Sequence, residues 1–387
     1  MDTRERFLKV FNFEKVDRNI DWEFAYWGGT LNKWYKEGLP KLSGFPREIG
    51  EGETIGGPGL YWSEDNPWLY AYDVDKYFNF DEGIRRPPIN TWIFPQFEVQ
   101  IISEDERKKE IVDVDGIRKI VMKNNSSMPL WLEWPVKDRR SWEELRNDRL
   151  NLEKYNIESR ILIDKESMIK NAKNRSYPLG LIGYPAGFFG SLRFLIGDTN
   201  LFILYYDDPK LLKDIMKFLT DFWINCCDEI LNYFDVDVML FWEDMAGKNG
   251  SLISPKLFME FMMPCYKRII NHLKEKGLKN FMVDSDGKVD ELVPLFLEAG
   301  ITCIYPFERQ AGNDLLEFRK KYPKMQMMGG FDKNVLAQSK EQIDRELNIV
   351  SEVLKYGGYI LMADHLIPPN VSFENFKYYR NKIKNIL

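Results

Sequence analysis

Acidic side chains recur in the second half of the chain, at the ends of short apolar segments. Glu243 and Asp244 follow the segment Asp237–Trp242, and His365 follows the segment Tyr359–Ala363. The other carboxylates in equivalent places are Asp284, Asp286, Glu308 and Asp332. Carboxylates grouped with a histidine can ligate a divalent metal, act as a general acid and base, or accept hydrogen bonds from a nitrogen heterocycle. The sequence therefore predicts an acidic active site, with Glu243, Asp286 and His365 as its catalytic residues.

A divalent metal is one option for this site, and the candidate ligands are Asp284, Asp286 and His365. Each aspartate also has a second interpretation, because an aspartate directly after a strand is often the N-cap of the next helix. Glu243 does not fit that interpretation, since glutamate is a poor N-cap. His365 precedes the rigid pair Pro368-Pro369, so we expect it to face the site and to titrate near neutral pH.

The segment after Leu179–Tyr184 supplies aromatic and cationic groups instead of carboxylates. We expect Tyr184, Phe188 and Phe189 to line an apolar wall, and Arg193 to pair with a carboxylate of the substrate. The predicted substrate-binding set is completed by Trp242, Asp244, Glu308 and Asp332. This mixture of side chains predicts a small-molecule substrate.

These side chains can meet only if the apolar segments end at one edge of a sheet. The segments are apolar almost continuously, which is typical of parallel strands that are buried on both faces. The predicted strands are Leu179–Tyr184, Asp237–Trp242, Asn280–Val283, Ile301–Tyr305, Met325–Gly329 and Tyr359–Ala363. The helices between them begin at capping signals, which are Asp208-Pro209, Ser254-Pro255, Ser339 with Gln342, and Ser372.

Six consecutive strand–helix units predict an α/β protein. We interpret the chain as a single (β/α)8 TIM barrel over residues 1–387. The active site of such a barrel forms at the carboxyl ends of the strands. Ile20–Phe24, followed by a helix over Thr30–Glu37, supplies one further unit, and the eighth stays unassigned. The rival fold is a doubly wound sheet, which carries a glycine-rich phosphate loop after a strand. Neither G-x-G-x-x-G nor G-x-x-x-x-G-K-[ST] occurs in the chain.

Residues 40–150 have a different pattern and are rich in Gly, Pro, Trp and Tyr. Three segments there alternate apolar and polar residues, which indicates antiparallel strands with one solvated face. They are Phe97–Ser103, Lys108–Val114 and Ile117–Lys123. We interpret residues 40–150 as a β-meander insertion that lies over one face of the barrel.

Composition restricts the class of partner. The 387 residues include 54 basic and 60 acidic side chains, a net charge of −6, which argues against nucleic acid and anionic membrane surfaces. The charged start of the chain lacks an apolar signal core, and no apolar run reaches the roughly 18 residues of a membrane span. Four cysteines without C-x-x-C spacing do not make a disulfide scaffold. We expect a cytoplasmic protein, and a homodimer is one open arrangement.

The order of several motifs resembles the uroporphyrinogen decarboxylase superfamily. The motifs are YPAGFFGSLR at 184–193, YDDP at 206–209, WED at 242–244, DSDG at 284–287, GGFD at 329–332 and DH at 364–365. The resemblance covers about residues 178–387 and implies a (β/α)8 barrel. It also implies one of two chemistries, cofactor-free decarboxylation of porphyrinogen acetate groups or methyl transfer that involves corrinoid proteins with thiol or pterin partners.

The chain departs from the motifs of both branches. The arginine-bearing motif of the decarboxylases is replaced at residues 23–30 by EFAYWGGT, which has no arginine. A carboxylate-rich porphyrinogen would also meet an acidic rim, which is electrostatically unfavourable. The H-x-C zinc motif of the thiol-methylating members is replaced by Asp284-Ser285-Asp286, and the position of their late cysteine falls near Asp364-His365.

We therefore expect a methyltransferase that moves a methyl group between a small donor or pterin and a corrinoid carried by a partner protein. Glu243, Asp284 and Asp286 would bind or protonate a heterocycle or ligate a metal, and His365 would act as general acid and base or as a ligand. One alternative is a decarboxylase of a porphyrinogen or other small carboxylate, which needs several arginines over the site, from the set Arg85, Arg86, Arg139 and Arg193. The other is a hydrolase with a carboxylate pair across an open groove.

Overall fold

The computed structural model describes residues 1–42, 49–59, 69–124, 127–162 and 164–387. Its strands are β1 Ala25–Trp27, β2 Thr54–Gly56, β3 Leu69–Tyr70, β4 Gln100–Glu104, β5 Lys108–Val112, β6 Arg118–Met122, β7 Leu130–Glu133, β8 Gly180–Ile182, β9 Val238–Trp242, β10 Ala246–Gly247, β11 Gly250–Ser251, β12 Asn280–Asp284, β13 Cys303–Tyr305, β14 Gln326–Phe331 and β15 Tyr359–Ala363. Its helices are α1 Thr3–Phe11, α2 Gly28–Lys36, α3 Tyr72–Phe78, α4 Arg139–Arg149, α5 Lys165–Lys173, α6 Gly190–Ile196, α7 Asp198–Asp207, α8 Pro209–Leu231, α9 Pro255–Leu257, α10 Met263–Glu275, α11 Leu292–Ala299, α12 Leu315–Lys321, α13 Lys340–Leu354 and α14 Phe373–Ile386.

A six-stranded parallel sheet forms the centre of the second half of the chain. Its order is β8-β9-β12-β13-β14-β15, so the strands are neighbours in the order in which they occur in the sequence. A barrel has this uninterrupted order, whereas a doubly wound sheet reverses direction at a switch point. All six predicted strands are confirmed, and so is the α/β class.

The helices begin where the capping signals predict. Asp208 accepts a hydrogen bond from the backbone of Leu211 at the start of α8, and Ser339 forms a capping box with Gln342 at the start of α13. The helix predicted after Ser254 is interrupted by a π-helical segment over Phe258–Met262. Pro264 has no N–H to donate to the preceding turn, which explains the irregularity.

The prediction of a strand over Ile20–Phe24 is wrong in its bounds, because these residues form no strand and β1 begins only at Ala25. The segment still lies close to the last strand of the sheet. The N–H of Ile367 donates to the carbonyl of Ala25 at 2.9 Å, and the N–H of Gly57 donates to the carbonyl of Phe24 at 2.9 Å. At the other edge of the sheet, the N–H of Arg85 donates to the carbonyl of Pro178 at 2.9 Å, just before β8. The N-terminal half therefore contacts both edges of the sheet.

Two apolar clusters cover the two faces of the sheet, as the almost continuous apolar pattern predicts. The larger cluster packs the sheet against the outer helices. The smaller, inner cluster includes Ile20, Trp22, Phe24, Ile84, Val238, Leu240, Met282, Cys303, Tyr305, Met328, Ile360 and Met362. Alternate residues of the sheet strands thus meet side chains from Ile20–Phe24 and from Ile84.

The predicted β-meander is present as the antiparallel sheet β4-β5-β6-β7, in which β7 is a strand that the pattern did not predict. The chain just after β7 contacts α6, where the N–H of Val136 donates to the carbonyl of Leu195 at 2.9 Å. Within residues 40–150, residues 43–48, 60–68 and 125–126 lie outside the described ranges. The domain boundary at 40 and 150 stays a prediction.

Among the helices that the structure describes, none has the length and apolar character to cross a membrane.

Candidate active site

His365 and Asp286 form an ion pair at the carboxyl end of the sheet. The Nε2 atom of His365 lies 3.1 Å from Oδ2 of Asp286. Burial lowers the pKa of His365, but the charge of Asp286 and its hydrogen bond outweigh burial, so the net direction is upward. The Oδ1 atom of Asp286 is buried and has no hydrogen-bond partner within the described part of the chain. The pair therefore combines an imidazole whose charged form is favoured with an unused hydrogen-bond acceptor.

Two further carboxylates lie beside this pair. Burial and the negative charges of Asp286 and Asp244 raise the pKa of Asp284 well above its ordinary value, while a hydrogen bond with Tyr305 opposes the rise. Burial, with the charge of Asp286, raises the pKa of Asp244 to about 6. The arrangement favours the neutral acid form of Asp284 next to the Asp286–His365 pair.

Arg193 and Asp244 connect the acidic cluster to α6. The Nη1 atom of Arg193 donates to Oδ2 of Asp244 at 2.8 Å and to its backbone carbonyl at 2.8 Å, and the Nε atom donates to Asp198. Asp244 has a φ of 42°, a left-handed conformation that is uncommon for residues other than glycine and clusters at functional sites. The predicted pairing of Arg193 with a substrate carboxylate competes with these intramolecular bonds.

Glu243 is completely buried and holds the turn that precedes α6. Its Oε1 accepts from the N–H of Phe188 at 2.7 Å and from the hydroxyl of Tyr266, and its Oε2 accepts from the N–H groups of Phe189 at 2.6 Å and Gly190 at 2.9 Å. Burial raises the pKa of Glu243, and these four donors oppose the rise. This geometry favours a positioning role over the catalytic role that the sequence predicts.

Two glycines let the turn approach the end of β9. A Cβ atom at Gly187 would lie 2.0 Å from the carbonyl oxygen of Trp242, and one at Gly190 would lie 2.2 Å from the same oxygen. Only glycine fits where backbones approach so closely. The two glycines of the GFFG segment therefore allow Glu243 to reach the backbone N–H groups.

The predicted aromatic wall is only partly assembled. The rings of Tyr184 and Trp242 meet edge to face at 4.9 Å at the carboxyl ends of β8 and β9. Phe188 and Phe189 differ from the prediction, because both are 0% exposed and pack toward the outer helices, with Phe188 against Tyr266 at 4.8 Å. The sequence shows that these rings are apolar but not toward which side of the turn they pack.

Two other predicted residues are engaged in structural bonds. Asp332 accepts from the N–H of Asn334 at 2.9 Å and from the side chain of Gln310 at 2.5 Å, so the N-cap interpretation holds for it. Glu308 accepts from Lys333 at 2.9 Å and from the N–H of Gly287 at 3.1 Å. Their predicted contact with a substrate stays a prediction.

Sequence reasoning missed three side chains of this region. Tyr305 hydrogen-bonds Asp284, the ring of Phe24 lies 5.6 Å from that of His365, and Lys333 contacts Glu308. Tyr305 is the last residue of β13 and Phe24 ends the predicted first strand, so attention to every strand end could have found both. The sequence predicts aromatic site residues only near the strand ends at Tyr184 and Trp242.

The predicted metal site is not assembled. Within the described residues, no three or more His, Cys, Asp or Glu side chains lie where they could hold one metal ion. Asp286 and His365 are paired with each other, and Asp284 is bonded to Tyr305. These donors do not fit a divalent ion, which takes several oxygen ligands in one sphere.

The four candidate arginines of the decarboxylase alternative do not converge. Arg193 binds Asp244, and the Nη1 atom of Arg86 lies 3.3 Å from the carbonyl oxygen of Tyr184. Arg85 stacks over Tyr177, with 4.1 Å from its guanidinium to the ring centroid. Arg139 pairs with Asp214 outside the acidic cluster.

Comparison with known proteins identifies the family. The sequence profile of the uroporphyrinogen decarboxylase (URO-D) family matches residues 131–386, about two thirds of the chain, and the chain belongs to this family of enzymes. A search of curated protein sequences gave no match.

Among solved structures, a methyltransferase from Methanosarcina mazei is similar at a TM-score of 0.55 and 14% identity, over 99% of each chain. A B12-independent methionine synthase from Shewanella sp. W3-18-1, in complex with selenomethionine, aligns at a TM-score of 0.38 and 12% identity, over 81% of this chain and 83% of that one. The first similarity shows a shared fold.

Proposed function

We propose that this chain is a methyltransferase that moves a methyl group between a small donor or pterin and a corrinoid carried by a partner protein. The observation that carries the proposal is the Asp286–His365 pair, in which the buried Oδ1 atom of Asp286 lacks a hydrogen-bond partner among the described residues. Buried polar atoms are normally satisfied, so an N–H group of a bound heterocycle would fill this place.

The neighbouring groups provide a proton for the leaving nitrogen. When a methyl group leaves a ring nitrogen, that nitrogen keeps the bonding electrons and takes a proton. The charge of Asp286 raises the pKa of His365, and burial beside two carboxylates raises the pKa of Asp284, so both shifts favour the proton-donating form of these side chains. The corrinoid, when present, supplies the electron pair for the new bond to carbon.

Two comparisons support methyl transfer over decarboxylation. The similar fold from Methanosarcina mazei is that of a methyltransferase. The segment that carries substrate-binding arginines in the decarboxylases here contains the buried Glu23, which Arg380 binds at 3.1 Å. A porphyrinogen would therefore find acidic groups at the site and few free cations.

We also infer that the central sheet closes as a (β/α)8 barrel, with residues 40–150 as an insertion on it. The inner cluster receives side chains from Ile20–Phe24 and from Ile84 in addition to the six sheet strands, which makes eight contributing segments. The turn between β5 and β6 supports the place of the insertion. Burial raises the pKa of Tyr184, and the charges of Asp115 and Asp113 in this turn add to the rise.

The proposal is tested by anaerobic mixing of the full-length protein with methylcobalamin and, in turn, a thiol and a reduced pterin. We expect the methyl–cobalt absorption to disappear with one acceptor, at least tenfold faster than without protein. Asp286→Asn should slow this reaction by about 10²-fold, the usual scale for an acid–base group. Asp105→Asn, a substitution in the meander sheet, is the matched control.

An unchanged cobalt spectrum with every acceptor would refute methyl transfer. Release of carbon dioxide from a porphyrinogen by the same preparation would then establish the decarboxylase alternative. The carboxylate-pair hydrolase stays a prediction, and release of reducing sugar from glycosides would test it.

A further inference from the structure

A separate cavity of about 290 Å³ lies in the N-terminal half, between α3 and residues 80–85. It shares no residue with the Asp286–His365 region. The side chains that matter in its wall are Tyr70, Tyr72, Asp75, Phe80, Glu82 and Arg85. Its volume is near the lower end of the range for small-molecule sites, about 300 Å³ and above.

Three aromatic rings line this cavity. Tyr70 and Tyr72 meet at 4.9 Å between ring centroids with an interplanar angle of 64°, so their faces form a corner. Phe80 also lines the cavity, but its ring is already covered by the guanidinium of Arg380 at 4.6 Å and stacked on Phe78 at 5.8 Å, so it supplies apolar surface only. Aromatic faces that surround a small volume attract cations, because the ring quadrupole places negative charge on the face.

The charged groups in the wall leave one carboxylate, that of Asp75, without a direct partner among the described residues. Arg85 donates to Oε1 of Glu82 at 3.2 Å, and its guanidinium also stacks on Tyr177 at 4.1 Å, so these two charges neutralise each other. The carboxylate of Asp75 has no hydrogen bond or ion pair with any residue that the structure describes. Burial raises the pKa of Asp75 to about 6, and the charges of Arg85 and Lys76 oppose the rise only in part.

We propose that this cavity binds an organic ammonium ion, with Asp75 as the counter-charge and the rings of Tyr70 and Tyr72 as the aromatic walls. A methylated or alkylated ammonium group places positive charge on apolar carbon, which suits aromatic faces and one carboxylate. A divalent metal would need several oxygen ligands. A neutral apolar ligand would leave Asp75 buried and unpaired.

Titration calorimetry with choline and with dimethylbutanol, in which carbon replaces the charged nitrogen, tests this proposal on the full-length protein. At about pH 8, where Asp75 is ionised, we expect choline to bind at least tenfold more tightly than its neutral isostere. Absence of choline binding, or equal binding of both compounds, would overturn the proposal. This test needs only the wild-type protein.

Variants then locate the site. Asp75→Asn should weaken choline binding at least tenfold, whereas Asp148→Asn, which changes an exposed carboxylate paired with Lys154, should leave it unchanged. Thermal unfolding of both variants verifies that they fold. Choline binding that is unaltered in a folded Asp75→Asn variant would place the ligand elsewhere and refute the assignment. Because the cavity lies apart from Asp286 and His365, this result is independent of methyl transfer.

Discussion

The imidazole of His365 and the carboxylate of Asp286 lie 3.1 Å apart, from Nε2 to Oδ2, although the two residues come from different strand–helix units. The pair is half-buried, with His365 23% exposed and Asp286 30% exposed, so bound substrate can reach it. The effect of Asp286 on the pKa of His365 is the first property to test.

Asp286→Asn should lower the pKa of His365, because the variant removes the charge and the acceptor that raise it. The chain has only two histidines, so a protein labelled on histidine gives two imidazole signals that can be titrated by NMR. Asp228→Asn removes the partner of the other histidine, His272, and should leave the His365 signal unchanged. An unaltered His365 titration in Asp286→Asn would contradict the ion pair.

Glu243→Ala should destabilise the protein by about 3–5 kcal/mol, since it leaves three backbone N–H groups and the Tyr266 hydroxyl buried without an acceptor. Urea unfolding measures the loss. Glu260→Gln is the matched control, because that glutamate pairs with Lys213 at the surface and its loss should leave the free energy of unfolding nearly unchanged. A Glu243→Ala variant as stable as the wild type would refute the positioning role.

Arg380→Ala should cost about 3–5 kcal/mol of unfolding free energy, because it leaves the buried carboxylates of Asp21 and Glu23 without their cation. The exposed substitution Arg345→Ala provides the control. The combined variant Arg380→Met, Asp21→Asn and Glu23→Gln should recover most of the loss, since it removes all three charges together. Equal stability of the single and combined variants would contradict this account.

Asp115→Asn should stabilise the protein increasingly as pH rises from about 4 to about 7. Burial, with the charge of Asp113, raises the folded-state pKa of Asp115 to about 6, above its ordinary value. The folded state therefore binds more protons than the unfolded state in this range, and wild-type stability falls as pH rises. Allowing for solvent screening at this partly exposed site, we expect a difference of about 1–2 kcal/mol at neutral pH.

A second variant in the same sheet should show the opposite trend. Backbone N–H groups of Arg107 and Lys108 lower the pKa of Asp105, so this group stabilises the fold at neutral pH and loses that effect as pH falls. Asp105→Asn should therefore be less stable than the wild type at neutral pH, and the difference should shrink in acid. Urea unfolding at several pH values gives the free energy of unfolding of both variants. If the difference from the wild type changed with pH in the same direction for both variants, the assignment would be contradicted.

The sequence predicted the fold class well because its signals are local. A continuous apolar run such as Tyr359–Ala363 indicates a buried strand from neighbouring residues alone. Capping residues such as Asp208 and Ser339 likewise bond to backbone groups only three positions away. The segment around Ile20–Phe24 was harder, because its bonds to Gly57 and Ile367 are made with distant residues. The π-helical segment before Pro264 shows that even a clear N-cap does not determine the geometry of the helix after its first turn.

The sequence by itself determined which residues stand at the ends of the strands, because alternation and apolar runs report burial along one segment. Only the tertiary structure decided what each of them does there. It turned Glu243 inward to four donors, used Asp332 as a cap, buried Phe188 and Phe189, and paired Asp286 with His365. The reason is physical, since hydrogen bonds and pKa shifts depend on separations of a few ångströms between residues far apart in the chain.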